Sequence, residues 1–331
     1  MPWDIHYKKG VWLPQVGWWL DGQTRAPRSF VTHAHSDHIA RHAEVACTPA
    51  TARLLRARLP GKRKETLLAF GETREVEFGL RATLQPAGHV LGSSMVHLES
   101  EHGSLLYTGD FKLRPGFAAE PCRPVRADVL VMETTFGLPK YVFPPDAEVV
   151  AGIIAFCRQT LAEGGTPVLL CYSLGKTQEV LRALAPAGLP VMLHDQGFFL
   201  TEIYRQLGMD FPVYRRFDAR ELGGHIVICP PHTPALLQRI PAARTAIITG
   251  WAIDGGARFR YRTDAAFPLS DHADFPDLLR LVELVQPKRV LTLHGYAREF
   301  AATLRARGWD AIAVGRDNQL DLILGSDSPD P

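Results

Sequence analysis

The sequence predicts an α/β protein in two domains, with a parallel sheet in its middle portion. Three observations carry that expectation. At 331 residues the chain is long for one typical domain and ample for two, each with its own core. Between about residues 139 and 267, continuous apolar strands alternate with helical stretches, as in a parallel sheet covered on both faces. On either side of that portion, apolar strands run into turns that carry histidine or aspartate, so ligand-type side chains collect at strand ends.

Composition sets outer limits. Apolar residues make up 46% and charged residues 22%, an ordinary globular balance rather than a disordered one. A formal net charge of +2 decides little about partners, although local basic clusters could draw a polyanion. No uncharged apolar run reaches the length of about 18 residues that a membrane-spanning helix needs. The first ten residues lack the charged-then-apolar order of a signal peptide, so a cytoplasmic protein is expected. Cys47, Cys122, Cys157, Cys171 and Cys229 are odd in number, scattered and without C-x-x-C spacing, which argues against disulfides and thiolate metal sites. There is no internal repeat, and residues 325–331 read as a disordered tail.

Taken in order, short strands at 11–13, 17–20 and 29–31 lead into Thr32-His33-Ala34-His35-Ser36-Asp37-His38. On a loop at a strand end, His33 and His35 can converge on one metal, while Asp37 and His38 can point at a second. Imidazole nitrogen with carboxylate oxygen suits zinc, and less decisively manganese or iron. The alternative is a polar loop whose histidines cap neighbouring helices; four ligand-type residues in six positions argue against it.

A helix follows over about 48–59, with Thr48 as cap and Pro49 at its first position. Its Arg53, Arg56 and Arg58, with Lys62, Arg63 and Lys64 beyond, read as a solvated basic face or as a phosphate-contacting patch. Strands at 74–78 and 80–85 end in Gly88-His89, and strands at 94–98 and 104–107 end in Gly109-Asp110. Asp110 could bridge two metals through its two oxygens. A strand at 127–132 runs into Glu133, either a helix cap or a site residue.

In the middle portion, strands at 168–172, 190–193, 225–229 and 245–249 alternate with helices that include 173–184 and 198–207. Ser173, Gly175 and Lys176 place a hydroxyl, a glycine and a cation at a helix N-terminus, which suits an anion or simple capping. Residues 258–262 interleave arginine with aromatics on an expected loop or edge strand, with nucleic-acid contact as the alternative. Ser270-Asp271-His272-Ala273-Asp274 then leads into a helix at 276–285, and a strand at 289–293 ends in His294.

These residues resemble the metallo-β-lactamase fold in its β-CASP nuclease branch. Thr-His-Ala-His-Ser-Asp-His at 32–38 is similar to that fold's H-x-H-x-D-H motif. His89 in Ala-Gly-His-Val-Leu-Gly-Ser and Asp110 in Tyr-Thr-Gly-Asp-Phe match its third and fourth motifs, and Glu133, His272 and His294 match the branch motifs A, B and C. The resemblance spans about residues 10–325 and looks most like the bacterial ligase-associated DNA exonucleases.

The resemblance implies an αββα sandwich built from residues 1–138 and 266–331, with a β-CASP domain inserted at 139–265. It implies two divalent ions, Zn2+ and/or Mn2+: His33, His35 and His89 would hold one, Asp37, His38 and His294 the other, and Asp110 would bridge. Glu133 would orient His272, and Asp37 counts with these two among the catalytic residues as well as the ligands. Ions about 3.5–4 Å apart can share a hydroxide that attacks phosphorus, with His272 as general acid for the departing 3′ oxygen.

An inserted domain over the site would suit single strands or ends, and a terminal phosphate held by Ser173, Gly175 and Lys176 would make the enzyme an exonuclease. The expectation is a 5′ to 3′ DNA exonuclease in DNA repair, with DNA favoured over RNA and an ATP-dependent DNA ligase or helicase as partner. Two alternatives stand beside it. RNA 3′-end processing or decay is favoured by a histidine at His294, which is common in RNA-processing relatives. A non-catalytic scaffold is disfavoured because every expected ligand is present.

Overall fold

The strands of this chain form three sheets in a computed structural model that describes residues 3–314. The tail expected at 325–331 lies outside them. The first sheet takes its strands in chain order: His6–Tyr7, Val11–Leu13, Trp18–Leu20, Arg28–Phe30, Glu44–Cys47 and Lys64–Leu67. Alternation sets its faces. Val11, Leu13, Trp18 and Leu20 are buried on one side, while Trp12 and Trp19 pair across the strands on the other with ring centroids 5.2 Å apart.

The second sheet has the order Ala311–Ala313, Arg289–Leu293, Val129–Glu133, Gly103–Tyr107, Ser94–Ser100, Leu80–Pro86 and Thr73–Glu77. Its first four strands run parallel, and the rest form an antiparallel meander. Leu13, Leu20 and Phe30 of the first sheet share one core with Leu84, Val96, Leu98 and Tyr107 of the second, so the two sheets pack face to face. The helix Pro49–Arg58 covers the outer face of the first sheet through Ala52 and Leu55, against Val45 and Cys47. Phe275–Val285 and Ala297–Ala306 cover the outer face of the second, through Leu278, Leu281, Val282, Phe300 and Leu304. This is the αββα order.

The third sheet is parallel throughout, in the order Tyr214–Arg216, Val191–Leu193, Ile226–Cys229, Thr166–Leu170, Ala243–Ile248 and Ala265–Phe267. Val168, Leu169, Met192, Val227 and Ile247 are buried on both its faces, which is why its strands read as unbroken apolar runs. Helix Asp146–Ala162 leads into it, and helices such as Lys176–Ala183 and Asp195–Gln206 connect its strands. The chain divides into two compact units: one reaches Val142 and resumes at His272, and the other is Phe143–Asp271. Ala265–Phe267 pairs with Ala246–Ile248 inside the third sheet, so the strand-like signal near Phe267 belongs to the inserted unit.

Residues 258–262 depart from the expected loop or edge strand. Ala257–Tyr261 is a short helix, because Arg258 and Arg260 are good helix formers and Arg262, in the left-handed region, ends it. No helix among the described residues is long and apolar enough to cross a membrane.

Candidate metal centre

The expected ligand residues lie at strand ends of the first unit. His33 follows Arg28–Phe30, and the chain then turns through a 3-10 helix at Ser36–His38. His89 follows Leu80–Pro86, Asp110 follows Gly103–Tyr107, Glu133 ends Val129–Glu133, and His294 follows Arg289–Leu293. Glycine is required at two of these turns. Gly88 has φ +80°, and a Cβ there would sit 2.2 Å from the Lys112 carbonyl oxygen; Gly109 has φ +53°, with Thr32 Oγ1 only 2.6 Å from where a Cβ would be. His294 itself holds φ 59°, a left-handed backbone that a non-glycine residue adopts at a cost of order 1 kcal/mol.

The donor atoms converge. His35 Nδ1 lies 3.0 Å from His33 Nε2 and 3.0 Å from His89 Nε2. Asp110 Oδ2 lies 3.6 Å from His33 Nε2 and 3.8 Å from His89 Nε2. On its other side the same oxygen is 3.3 Å from His38 Nε2, which is 3.6 Å from Asp37 Oδ2. The His294 ring is 6.2 Å, centroid to centroid, from that of His38. A tetrahedral zinc with bonds of about 2.0–2.1 Å to nitrogen separates its ligand atoms by about 3.3–3.4 Å. The separations within His33, His35, His89 and Asp110 scatter around that edge length, so these side chains fit a divalent cation.

Charge agrees with this geometry. Burial, with His38, His89 and His35 nearby, holds His33 well below the usual imidazole range, and burial likewise lowers His294. Neutral imidazole is the form that binds metal. Burial would also lower His38, but Asp110, Asp37 and Asp21 outweigh it and raise its pKa well above the ordinary value. Burial would raise Asp110, yet His38 and His272 hold its carboxyl well below the usual range. The second half of the cluster therefore favours positive charge.

Beside the cluster stands His272. Its ring centroid is 4.7 Å from that of His89, and its Nδ1 is 2.9 Å from Glu133 Oε1. Glu133 is buried and also accepts from the Phe111 amide at 2.9 Å and from the Thr135 hydroxyl. It is therefore a fixed acceptor, and it turns His272 Nε2 the other way.

Known proteins are similar to this chain. The chain is 57% identical to a protein of Opitutus terrae named "Probable DNA ligase", across 99% of this chain and 33% of that protein. It is 30% identical to "RNase aCSPSF2" of Saccharolobus solfataricus, across 52% of this chain and 41% of that one. Residues 265–314 match the family described as "RMMBL: Zn-dependent metallo-hydrolase RNA specificity domain". The chain has the metallo-β-lactamase fold of the β-CASP branch. The likeness is to a Zn-dependent metallo-hydrolase domain and to a protein named an RNase. It spans about one third of the length of the Opitutus terrae protein. A crystal structure of a protein of unknown function from Enterococcus faecalis V583 shares the fold, with TM-score 0.58, 12% identity, and coverage of 86% of this chain and 78% of that one.

Within this β-CASP chain, one residue of the site is missing from the sequence reading. Asp21, not singled out there, is buried and accepts from the Thr32 amide at 2.8 Å, the Thr32 hydroxyl at 2.6 Å and the Tyr107 hydroxyl at 3.0 Å. Its Oδ2 is 2.8 Å from His38 Nδ1. It ends the apolar strand Trp18–Leu20, so it obeys the same strand-then-ligand pattern that singled out Asp110.

The turn at Ser173, Gly175 and Lys176 is not an anion cradle, and that expectation is corrected. The Gly175 amide donates to Gln178 Oε1 at 2.7 Å, Ser173 Oγ donates to Gln196 Oε1 at 3.3 Å, and the Lys176 ammonium donates to the Leu269 carbonyl at 2.8 Å. Each donor is already committed inside the protein. In the basic helix, Arg56 pairs with Glu65, whereas Arg58 reaches back to the Ala34 carbonyl at 2.8 Å and so braces the peptide between His33 and His35.

Proposed function

We propose that this protein is a DNA exonuclease with a two-metal centre, acting 5′ to 3′ on single strands or ends in DNA repair, in the cytoplasm. The observation that carries phosphodiester hydrolysis is His272 against Glu133 at 2.9 Å, with its ring 4.7 Å from that of His89. The preference for DNA rests on the likeness to a protein named a probable DNA ligase, and an ATP-dependent DNA ligase or a helicase is the partner it suggests. In this reading residues 1–138 and 266–331 are the metallo-β-lactamase domain and 139–265 the β-CASP domain.

When bound, Zn2+ or Mn2+ ions lower the pKa of water and neutralise phosphate oxygens. His33, His35 and His89 would hold one ion, Asp37, His38 and His294 the other, and Asp110 would serve both. Water adds to phosphorus as the bond to O3′ breaks. His272, held at Nδ1 by Glu133, gives the Nε2 proton to the departing O3′, leaving a 3′-hydroxyl and a 5′-phosphate. Asp21 keeps the His38 ring turned so that Nε2 faces the cluster.

A second reading, RNA 3′-end processing or decay, is favoured by the likeness to an RNase and by the RNA specificity domain at 265–314. End-labelled single strands of DNA and RNA with one sequence, digested with added Mn2+, separate the two. Faster loss of 5′-labelled DNA is expected. Cleavage of RNA alone would replace the first reading with the second.

A further inference from the structure

Lys176 is among the largest fully buried side chains, 2% exposed. A buried ammonium loses several kcal/mol of hydration, which its contacts must offset. Its contacts here are specific: Nζ donates to the Leu269 carbonyl at 2.8 Å and pairs with Asp271 Oδ1 at 3.1 Å. Those residues lie three and one positions before His272.

On its other side His272 is fixed as well. The Ala273 amide donates to the Phe111 carbonyl at 2.8 Å, and Asp274 caps the helix Phe275–Val285 by accepting from the Asp277 amide at 3.1 Å. Arg114 holds that same Asp274 at 2.9 Å. His272 thus sits on a short span clamped at both ends, and the upstream clamp is a lysine 93 residues away from the carbonyl it grips.

We propose that Lys176 is a positioning residue that holds the 269–271 segment so that His272 meets the departing oxygen of the substrate. It touches neither substrate nor reacting atoms. The proposal rests on His272 acting as the general acid. A misplacement of about 1 Å at such a group can cost on the order of 100-fold in rate.

The test compares leaving groups, using the full chain loaded with Mn2+. Bis(p-nitrophenyl) phosphate releases p-nitrophenolate, which departs without a proton, whereas single-stranded DNA releases an alkoxide that needs one. His272→Ala is expected to lose about 100-fold or more in kcat on DNA and far less on the aryl ester. Lys176→Met is expected to show the same split at about 10-fold or more, with KM and bound metal unchanged, and Lys176→Arg to recover part of it. If Lys176→Met does not fold, Asp271→Asn, which keeps the shape and removes the ion pair, is expected to give that split. Equal losses on both substrates, or full DNA activity, in the folded Lys176 or Asp271 variant while His272→Ala shows the split would overturn the inference and leave the general acid standing. Absence of a split in His272→Ala would overturn both.

Discussion

Asp21 Oδ2 lies 2.8 Å from His38 Nδ1, so one buried carboxylate decides which nitrogen of His38 faces Asp110 and Asp37. Carboxylate partners of this kind fix the tautomer of a metal-binding histidine, and removing them typically costs about 10–100-fold in metal affinity. Asp21→Asn is therefore expected to weaken metal binding through His38 by about that factor, read by competition with a chromogenic chelator. A titration identical to that of the unaltered protein would leave Asp21 with a purely structural part.

The visibility of the site in the sequence follows from how its residues are distributed. His33, His35, Asp37 and His38 share one loop, so their chemistry is local and can be read without a fold. Asp21 precedes His38 by 17 residues and sits beside Gly22, where a turn explains it equally well; only the fold shows that it meets His38 and Tyr107. Lys176 misled for the same reason. A lysine after glycine at a helix start suits an anion, and nothing local shows that its ammonium ends on Leu269 and Asp271. Strand Lys64–Leu67 was hidden because its half-exposed edge position tolerates charge, so its lysine and glutamate read as loop.

Gly88 links the backbone to the centre. It precedes His89 with φ +80°, and a Cβ would stand 2.2 Å from the Lys112 carbonyl. A left-handed alanine costs about 1–2 kcal/mol before any clash, so Gly88→Ala is expected to lose about 2 kcal/mol or more of stability. The urea midpoint checks it. Metal retention should fall with it, because relief of the clash moves His89. An unchanged midpoint would mean that the loop at Lys112 gives way freely.

Glu133→Gln keeps the shape of an acceptor for His272 but removes its charge. With the amide oxygen at the Oε1 position Phe111 keeps its acceptor, and the Thr135 hydroxyl can turn to accept from the amide nitrogen, so the fold is expected to survive. General acid catalysis contributes about 100- to 10,000-fold, and weakening its orienting partner is expected to lower kcat by roughly 10- to 100-fold with KM and metal content little changed. Steady-state kinetics on single-stranded DNA gives the answer. A rise in KM alone would assign Glu133 to substrate binding.

Asp110 faces both halves of the cluster through one oxygen, 3.6 Å from His33 Nε2 and 3.3 Å from His38 Nε2. An ordinary single-ion site has no need of a carboxylate so placed, whereas two like-charged ions close together need one between them to offset their repulsion. Chelation by EDTA is expected to abolish nuclease activity, and Mn2+ to restore it in the unaltered protein. Asp110→Ala should bind fewer ions by elemental analysis and remain about 100- to 1,000-fold slower after the same addition. The neighbouring histidines persist in that variant, so the comparison isolates the bridge itself. An Asp110→Ala protein that digests end-labelled strands at the original rate would remove the aspartate from the bridging position and with it the shared centre.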